Sequence, residues 1–262
     1  MPRDFHLPNA RRDAHDPVAV ALPCLDATGP SVDALFDILS GIARVAPAQA
    51  DVALAWREDR LELTDLRRPS DRPLTVEWLA PLQALRSWPA SRREPLARAV
   101  GRKTASVIDA TAGWGQDALR LMMMGYRLEL IERSPVMAAL LVDARRRCFE
   151  ADHRHPGIVA PQIHTGDARR ILPTIRADCV YLDPMFPPKR NTSALAKRPL
   201  ELLRDLVGED ADRDALFDAA YAAANRRVVV KRPDHAPPLR AAPQESFSGK
   251  LVRYDVYLKP TS

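Results

Sequence analysis

The sequence predicts an α/β chain: a Rossmann-like, mostly parallel sheet of seven strands, one of them antiparallel, preceded by a small α/β appendage. Three observations carry this. From Ser106 onward short apolar strands alternate with helical stretches. The first of those strands runs into a glycine turn, Gly113-Trp114-Gly115, and the chain closes on a hairpin, whose strands must be antiparallel. A chain of 262 residues, 46% of them hydrophobic, can bury the core of one large domain plus a smaller unit.

The elements follow in order. Met1 to His15 shows no hydrophobic period and is expected to be loose. Apolar runs then fall at Val18 to Leu22, in a helical stretch from Val32 to Val45, and at Val52 to Trp56 and Leu61 to Leu66. The last two flank Arg57-Glu58-Asp59-Arg60 and read as a hairpin. Pro69 to Pro95 holds five prolines with Trp78 and Trp88 interleaved, and reads as an irregular connector. The expected division is residues 1–95 for appendage and connector and 96–262 for the main domain, opened by a lead-in helix at Leu96 to Val100. Its strands are expected at Ser106 to Ala110, Arg127 to Glu132, Gln162 to His164, Cys179 to Leu182 and Arg227 to Lys231. The closing hairpin pairs Glu245 to Phe247 with Leu251 to Leu258 across Ser248-Gly249.

Composition narrows the function classes. No run of about 18 apolar residues occurs and the first residues carry both signs of charge, so neither a membrane span nor a signal peptide is expected, and the expected compartment is the cytoplasm. Cys24, Cys148 and Cys179 are far apart and read as buried, reduced thiols rather than a disulfide framework or zinc site. The six histidines are scattered, so no metal is expected. With 39 Lys+Arg against 34 Asp+Glu, the net charge of +5 suits a polyanionic partner without demanding one.

Ser106-Val107-Ile108-Asp109 is a buried strand that ends in the turn Gly113-Trp114-Gly115 and opens a helix at Gln116-Asp117. Glycine lets a ligand approach the backbone, and the helix start offers N–H groups and partial positive charge to a carboxylate or phosphate. S-adenosylmethionine (SAM) fits such a turn. Glu132 ends the second strand, where a carboxylate can accept both hydrogen bonds of a ribose diol, and Gly166-Asp167 follows the third, where an acid can accept from an adenine amine. Ser134-Pro135 starts a helix whose stripe of Met137, Leu140, Leu141, Ala144 and Cys148 is core. Gly113, Gly115 and Ala118 equally satisfy a dinucleotide fingerprint, so this motif alone leaves an oxidoreductase open.

The fourth strand separates the two. Val180-Tyr181-Leu182 runs into Asp183-Pro184-Met185-Phe186 at the strand's C-terminal end, where ligands of open α/β sheets bind. The lone pair of a nucleobase NH₂ is delocalised into the ring, so a catalyst gains by accepting hydrogen bonds from that amine and orienting it. The Asp183 carboxylate and the Pro184 carbonyl can do so, with Phe186 as a stacking face for an extruded base. An oxidoreductase has no use for this clamp. Lys189, Arg190, Lys197, Lys231 and Arg232 follow the fourth and fifth strands and are candidate RNA-phosphate contacts, or else a solvated basic surface.

These residues together resemble the bacterial ribosomal RNA small subunit methyltransferase J family over roughly Val107 to Leu258. The anchors are Asp109 to Gly115, Glu132-Arg133-Ser134-Pro135, Val180 to Pro187, Ser193-Ala194-Leu195, and Val228 to Pro238. The resemblance implies a class I SAM-dependent methyltransferase sheet and transfer to the N2 amine of a guanine in 16S rRNA, free or within the small subunit. It implies SAM contacts at Gln116, Asp117, Glu132, Arg133, Gly166, Asp167 and Asp183. Gln116 stands where the family usually has Arg, and Arg86 to Glu94 where it has a glycine-rich basic stretch. Two rivals remain: methylation of another planar amine such as adenine N6, and an RNA-binding protein that keeps the fold without the chemistry.

Overall fold

A computed structural model describes residues 20–24, 50–68, 70–85, 92–149, 157–184 and 213–260, with Ile38 and Leu202. The appendage forms a three-stranded sheet of β1 (Val20–Cys24), β2 (Val52–Arg57) and β3 (Arg60–Asp65), β1 parallel to β2 and β2 antiparallel to β3. Arg57 pairs with Arg60 across a two-residue turn, Glu58 and Asp59, both at positive φ. That is the primed turn whose twist matches a tight hairpin. The predicted helix from Val32 to Val45 lies outside the described residues, apart from Ile38.

The connector is more ordered than its prolines suggest. It contains α1 (Leu79–Gln83), and Trp78 before it is 1% exposed. After α2 (Pro95–Val100), the predicted main sheet follows: β4 (Ser106–Asp109), β5 (Arg127–Glu132), β6 (Gln162–Thr165), β7 (Ala177–Leu182), β8 (Ala224–Pro233), β9 (Glu245–Ser248) and β10 (Val252–Leu258). The spatial order is β6-β5-β4-β7-β8-β10-β9, with β10 antiparallel to both neighbours and the other pairings parallel. The sequence expectation of one antiparallel strand is met.

Helices α3 (Gln116–Met123), α4 (Pro135–Phe149), α5 (Ala168–Ile171) and α6 (Arg213–Ala223) complete the described chain. Side-chain alternation along each strand sorts the core into two faces. Val107, Leu128, Leu130, Tyr181, Val229 and Tyr254 pack on one side with Leu96, Leu121 and Leu140, whereas Ile108, Ile131, Val180, Leu182, Val228 and Val230 pack on the other with Leu172, Leu216 and Phe217. Leu54, Leu61, Leu63 and Trp78 of the appendage and connector join the first cluster. A buried staple reinforces this contact: Asp143 of α4, 0% exposed, accepts from the Leu61 N–H at 3.1 Å and is paired to Arg147 at 2.9 Å. Arg147 in turn donates to the Val76 carbonyl. Cys148 and Cys179 are buried free thiols, pushed up to about 12 by burial.

Candidate active site

Alternation and register assemble the site. Asp109, Asp183 and Lys231 each stand one residue beyond a strand residue of the second face, Ile108, Leu182 and Val230. They are thus brought to the α3 side of the sheet at its C-terminal edge. Asp109 pairs with Tyr181 and Leu182 with Val230, which sets Asp183 beside Lys231. Asp117 enters from the first turn of α3, where a carboxylate also complements the helix dipole.

One ammonium ties these groups together. Lys231 Nζ lies 2.7 Å from Asp117 Oδ2 and 2.9 Å from Asp183 Oδ2, and the Tyr181 hydroxyl donates to the same Asp117 oxygen at 2.6 Å. Thr111 makes a second link: the Asp183 N–H donates to Thr111 Oγ1 at 2.7 Å, and the Thr111 N–H donates to Asp109 Oδ1 at 3.1 Å. The side chains open progressively to solvent, from 12% exposed at Asp117 through 23% at Lys231 to 38% at Asp183. Access is therefore through Asp183.

Burial sets the charges. Desolvation raises the Asp109 carboxyl to about 8, aided by the nearby Asp117 and Asp183 and opposed by the Thr111 N–H, so Asp109 is largely protonated at neutral pH. Burial also presses upward on Asp117, but the Lys231 ammonium and the Lys231 and Tyr181 hydrogen bonds outweigh it and hold this carboxylate below its usual range. Lys231 is raised despite its own burial, because Asp183 and Asp117 both face it. Arg120, 3.2 Å from Asp117 Oδ1, adds a second cation to the cluster.

The glycine turn is built on steric need. Gly115 has φ +66°, and a Cβ there would lie 2.7 Å from Trp78 Cζ2 and 2.8 Å from Leu141 Cδ2. The Trp78 indole N–H donates to the Gly115 carbonyl at 3.1 Å, so the connector holds the turn from behind. From the sheet side, Glu132 accepts the Gly113 N–H and the Ser134 N–H, each at 2.8 Å, and is 2% exposed. Gly115, the N-cap of α3, offers no side chain to the first-turn N–H groups. A helix start open to a carboxylate, an acid at the end of the second strand and the carboxylates gathered at the sheet's C-terminal edge together fit SAM. On the connector side of the turn lies a cavity of about 220 Å³ lined by Leu74 to Trp78, Trp114, Gln116 and Leu119.

The expected contacts fare unequally. Asp109, Gly113, Gly115, Asp117, Glu132, Asp183 and the buried Pro184 gather at this edge, and Gln116 is exposed at the start of α3. Gly166 donates its N–H to the Glu132 carbonyl. Asp167, expected at an adenine amine, caps α5 through the Arg169 N–H at 2.9 Å and pairs with the Arg169 guanidinium at 2.6 Å, which lowers its pKa. Arg133 is partly exposed at the end of β5. Of the expected phosphate contacts, Lys231 has its charge engaged by two carboxylates, and Arg232 is 5% exposed and donates to the Pro237 carbonyl. Neither offers an open charge, because alternation turns one inward to α3 and buries the other. Phe186, Lys189, Arg190 and Lys197 lie outside the described residues. Sequence reading missed Thr111, Tyr181 and Trp78. For Tyr181 a signal existed: it lies two residues before Asp183, hence on the same face.

Among the described residues no helix is long and apolar enough to cross a membrane. Residues 41–259 match a family model described as SAM-dependent methyltransferase. Ribosomal RNA small subunit methyltransferase J of Pectobacterium atrosepticum is 39% identical over 246 residues, covering 90% of this chain and 98% of the relative. The same-named protein of Tolumonas auensis is 40% identical over 80% of this chain and 88% of its own length. Among solved structures, a SAM-dependent methyltransferase from Neisseria gonorrhoeae superposes with a TM-score of 0.67 at 26% identity, covering 93% of this chain and 97% of that one.

Proposed function

Because the chain belongs to the ribosomal RNA small subunit methyltransferase J family of SAM-dependent methyltransferases, we propose that it methylates the exocyclic N2 amine of a guanine in 16S rRNA. The observation that carries this reading is the half-exposed Asp183 carboxylate, followed by the buried Pro184, beside the glycine turn at the sheet's C-terminal edge. The setting is the cytoplasm, where ribosomal subunits are made.

SAM, when bound, supplies an electrophilic methyl group on a cationic sulfur. Gly113 to Asp117 would receive its amino-acid end, with Glu132 bracing the turn from the sheet side. The Asp183 carboxylate and the Pro184 carbonyl accept hydrogen bonds from the two N–H groups of the target amine, which turns the nitrogen lone pair toward the methyl group. Phe186 is the residue proposed to stack the extruded base. The polar cluster around Lys231 would face the transferring charge, and the amine would release its proton to Asp183 or to water after the methyl group is attached. No stronger base is needed, because the attacking nitrogen becomes acidic as its new bond forms.

The test is Asp183→Ala with unmodified 16S rRNA or small subunits, followed by digestion to nucleosides. Parent protein should yield N2-methylguanine and the variant none, with S-adenosylhomocysteine binding retained by isothermal titration. Methyladenine as the product would replace the guanine reading. Near-normal turnover by Asp183→Ala would remove the amine clamp.

A further inference from the structure

Lys231 is a charged residue directly after three buried valines on β8, and 23% exposed. A lysine that only decorates a basic surface keeps its ammonium in water. Here Nζ instead reaches two carboxylates from different elements, Asp117 of α3 and Asp183 just after β7. One holds the cofactor side of the site and the other the acceptor side. We propose that Lys231 is a positioning residue of the methyl-transfer site, fixing the Asp183 carboxylate and keeping it ionised beside Asp117.

The argument rests on reading Asp183 as the amine acceptor, and it adds a group that never touches the substrate amine itself. Lys231 engages Asp183 Oδ2 at 2.9 Å, which holds this carboxylate in one orientation at the solvent-open edge of the site. It also separates two carboxylates that both lie within hydrogen-bond reach of its one nitrogen. Without the ammonium, each carboxylate would raise the proton affinity of the other, Asp183 having lost the cation that holds it. Every neighbour bears on this balance: Asp109 on β4, Asp117 and Arg120 on α3, Tyr181 on β7 and Asp183 just after it, and Tyr254 on β10. Arg120 pairs with Glu94 and with Asp117 Oδ1, whereas Lys231 bridges Asp117 and Asp183.

The experiment compares Lys231→Met, Lys231→Arg and Asp183→Ala, using small ribosomal subunits that lack the modification as substrate. Lys231→Met keeps most of the buried stem and removes the charge. Its kcat should fall about tenfold or more, and the acid limb of its kcat against pH should move up by about one unit, since one pKa unit corresponds to a tenfold change in proton affinity. KM for the subunit should change little, and Lys231→Arg should recover most of the rate and the original limb. Unchanged kcat and pH profile in Lys231→Met would overturn the proposal. So would a raised KM with unchanged kcat and a weaker salt dependence, the signature of a lost phosphate contact. A rate loss that merely follows thermal destabilisation, with the pH limb unmoved and no recovery by Arg, also overturns it. Failure of the underlying reading is distinct: Asp183→Ala would then remain active.

Discussion

Gly115→Ala tests whether the connector and the cofactor turn are one structural unit. The residue sits at φ +66°, where an L side chain is strained by roughly 1–2 kcal/mol. The added methyl would meet Trp78 Cζ2 at 2.7 Å and Leu141 Cδ2 at 2.8 Å, below any ordinary contact. Neither neighbour can yield into solvent, because Trp78 is 1% and Leu141 0% exposed. Overpacking of this kind costs typically about 1–3 kcal/mol, so the total is about 2–5 kcal/mol. At about 2–4 °C per kcal/mol for a chain near this size, Tm should fall by roughly 4–20 °C. Differential scanning fluorimetry reads this directly, and S-adenosylhomocysteine should protect the variant less than the parent. Trp78→Leu in the same background should relieve part of the clash, so the double variant should lose less than the sum of the two singles. A Tm within about 1 °C of the parent, or strict additivity in the cycle, would refute the argument.

Three further outcomes follow from the same geometry. Asp109, raised to about 8 against a carboxyl's ordinary 3.8, binds its proton more tightly folded than unfolded. Its contribution is therefore full below about pH 4 and is lost as pH rises through about 8. Asp109→Asn should flatten the decline of Tm between pH 5 and 9 measured by scanning calorimetry, and an unaltered slope would count against a protonated Asp109. Asp143→Ala leaves the Leu61 N–H and the Arg147 guanidinium without their buried acceptor, and should cost about 3 kcal/mol in urea unfolding, with a loss under about 1 kcal/mol arguing against the staple. Glu132→Gln presents an NH₂ group to one of the two N–H groups now held by carboxylate oxygens. S-adenosylhomocysteine affinity should drop about tenfold or more by titration, and unchanged affinity would remove Glu132 from the turn's support.

The main sheet was legible because its strands are buried on both faces. Val228-Val229-Val230 and Val107-Ile108 are continuous apolar runs bounded by turn signals, and such runs identify themselves whatever covers them. The strand boundaries at Arg127 and Glu132 also agree with the structure, although β5 carries the exposed Arg127 and the partly buried Glu129 among its buried residues. The connector was opaque. Its prolines and arginines signal irregular backbone correctly, but irregular backbone says nothing of which side chain is buried, and Trp78 is held by a residue 37 positions away. Asp143 was equally hidden, since a lone acid on an amphipathic helix reads as solvated until a distant N–H and two arginines enclose it.

The site was half legible, and the missing half follows one rule. Asp109, Glu132 and Asp183 were readable because each ends a strand at the edge where ligands of such sheets bind. Lys231 stands at the matching position of β8, yet its basic neighbours drew it toward an RNA-phosphate role. Parity alone separates the members of the Lys231-Arg232 pair: Val230 packs on the α6 face, so Lys231 must turn to the α3 face, where Asp117 and Asp183 wait. A charge at the end of a doubly covered strand is forced toward whatever polar group shares its face, because burying it unpaired would cost several kcal/mol or more. Strand-end charges in such a sheet are therefore better assigned by parity and register than by the sign of their sequence neighbours.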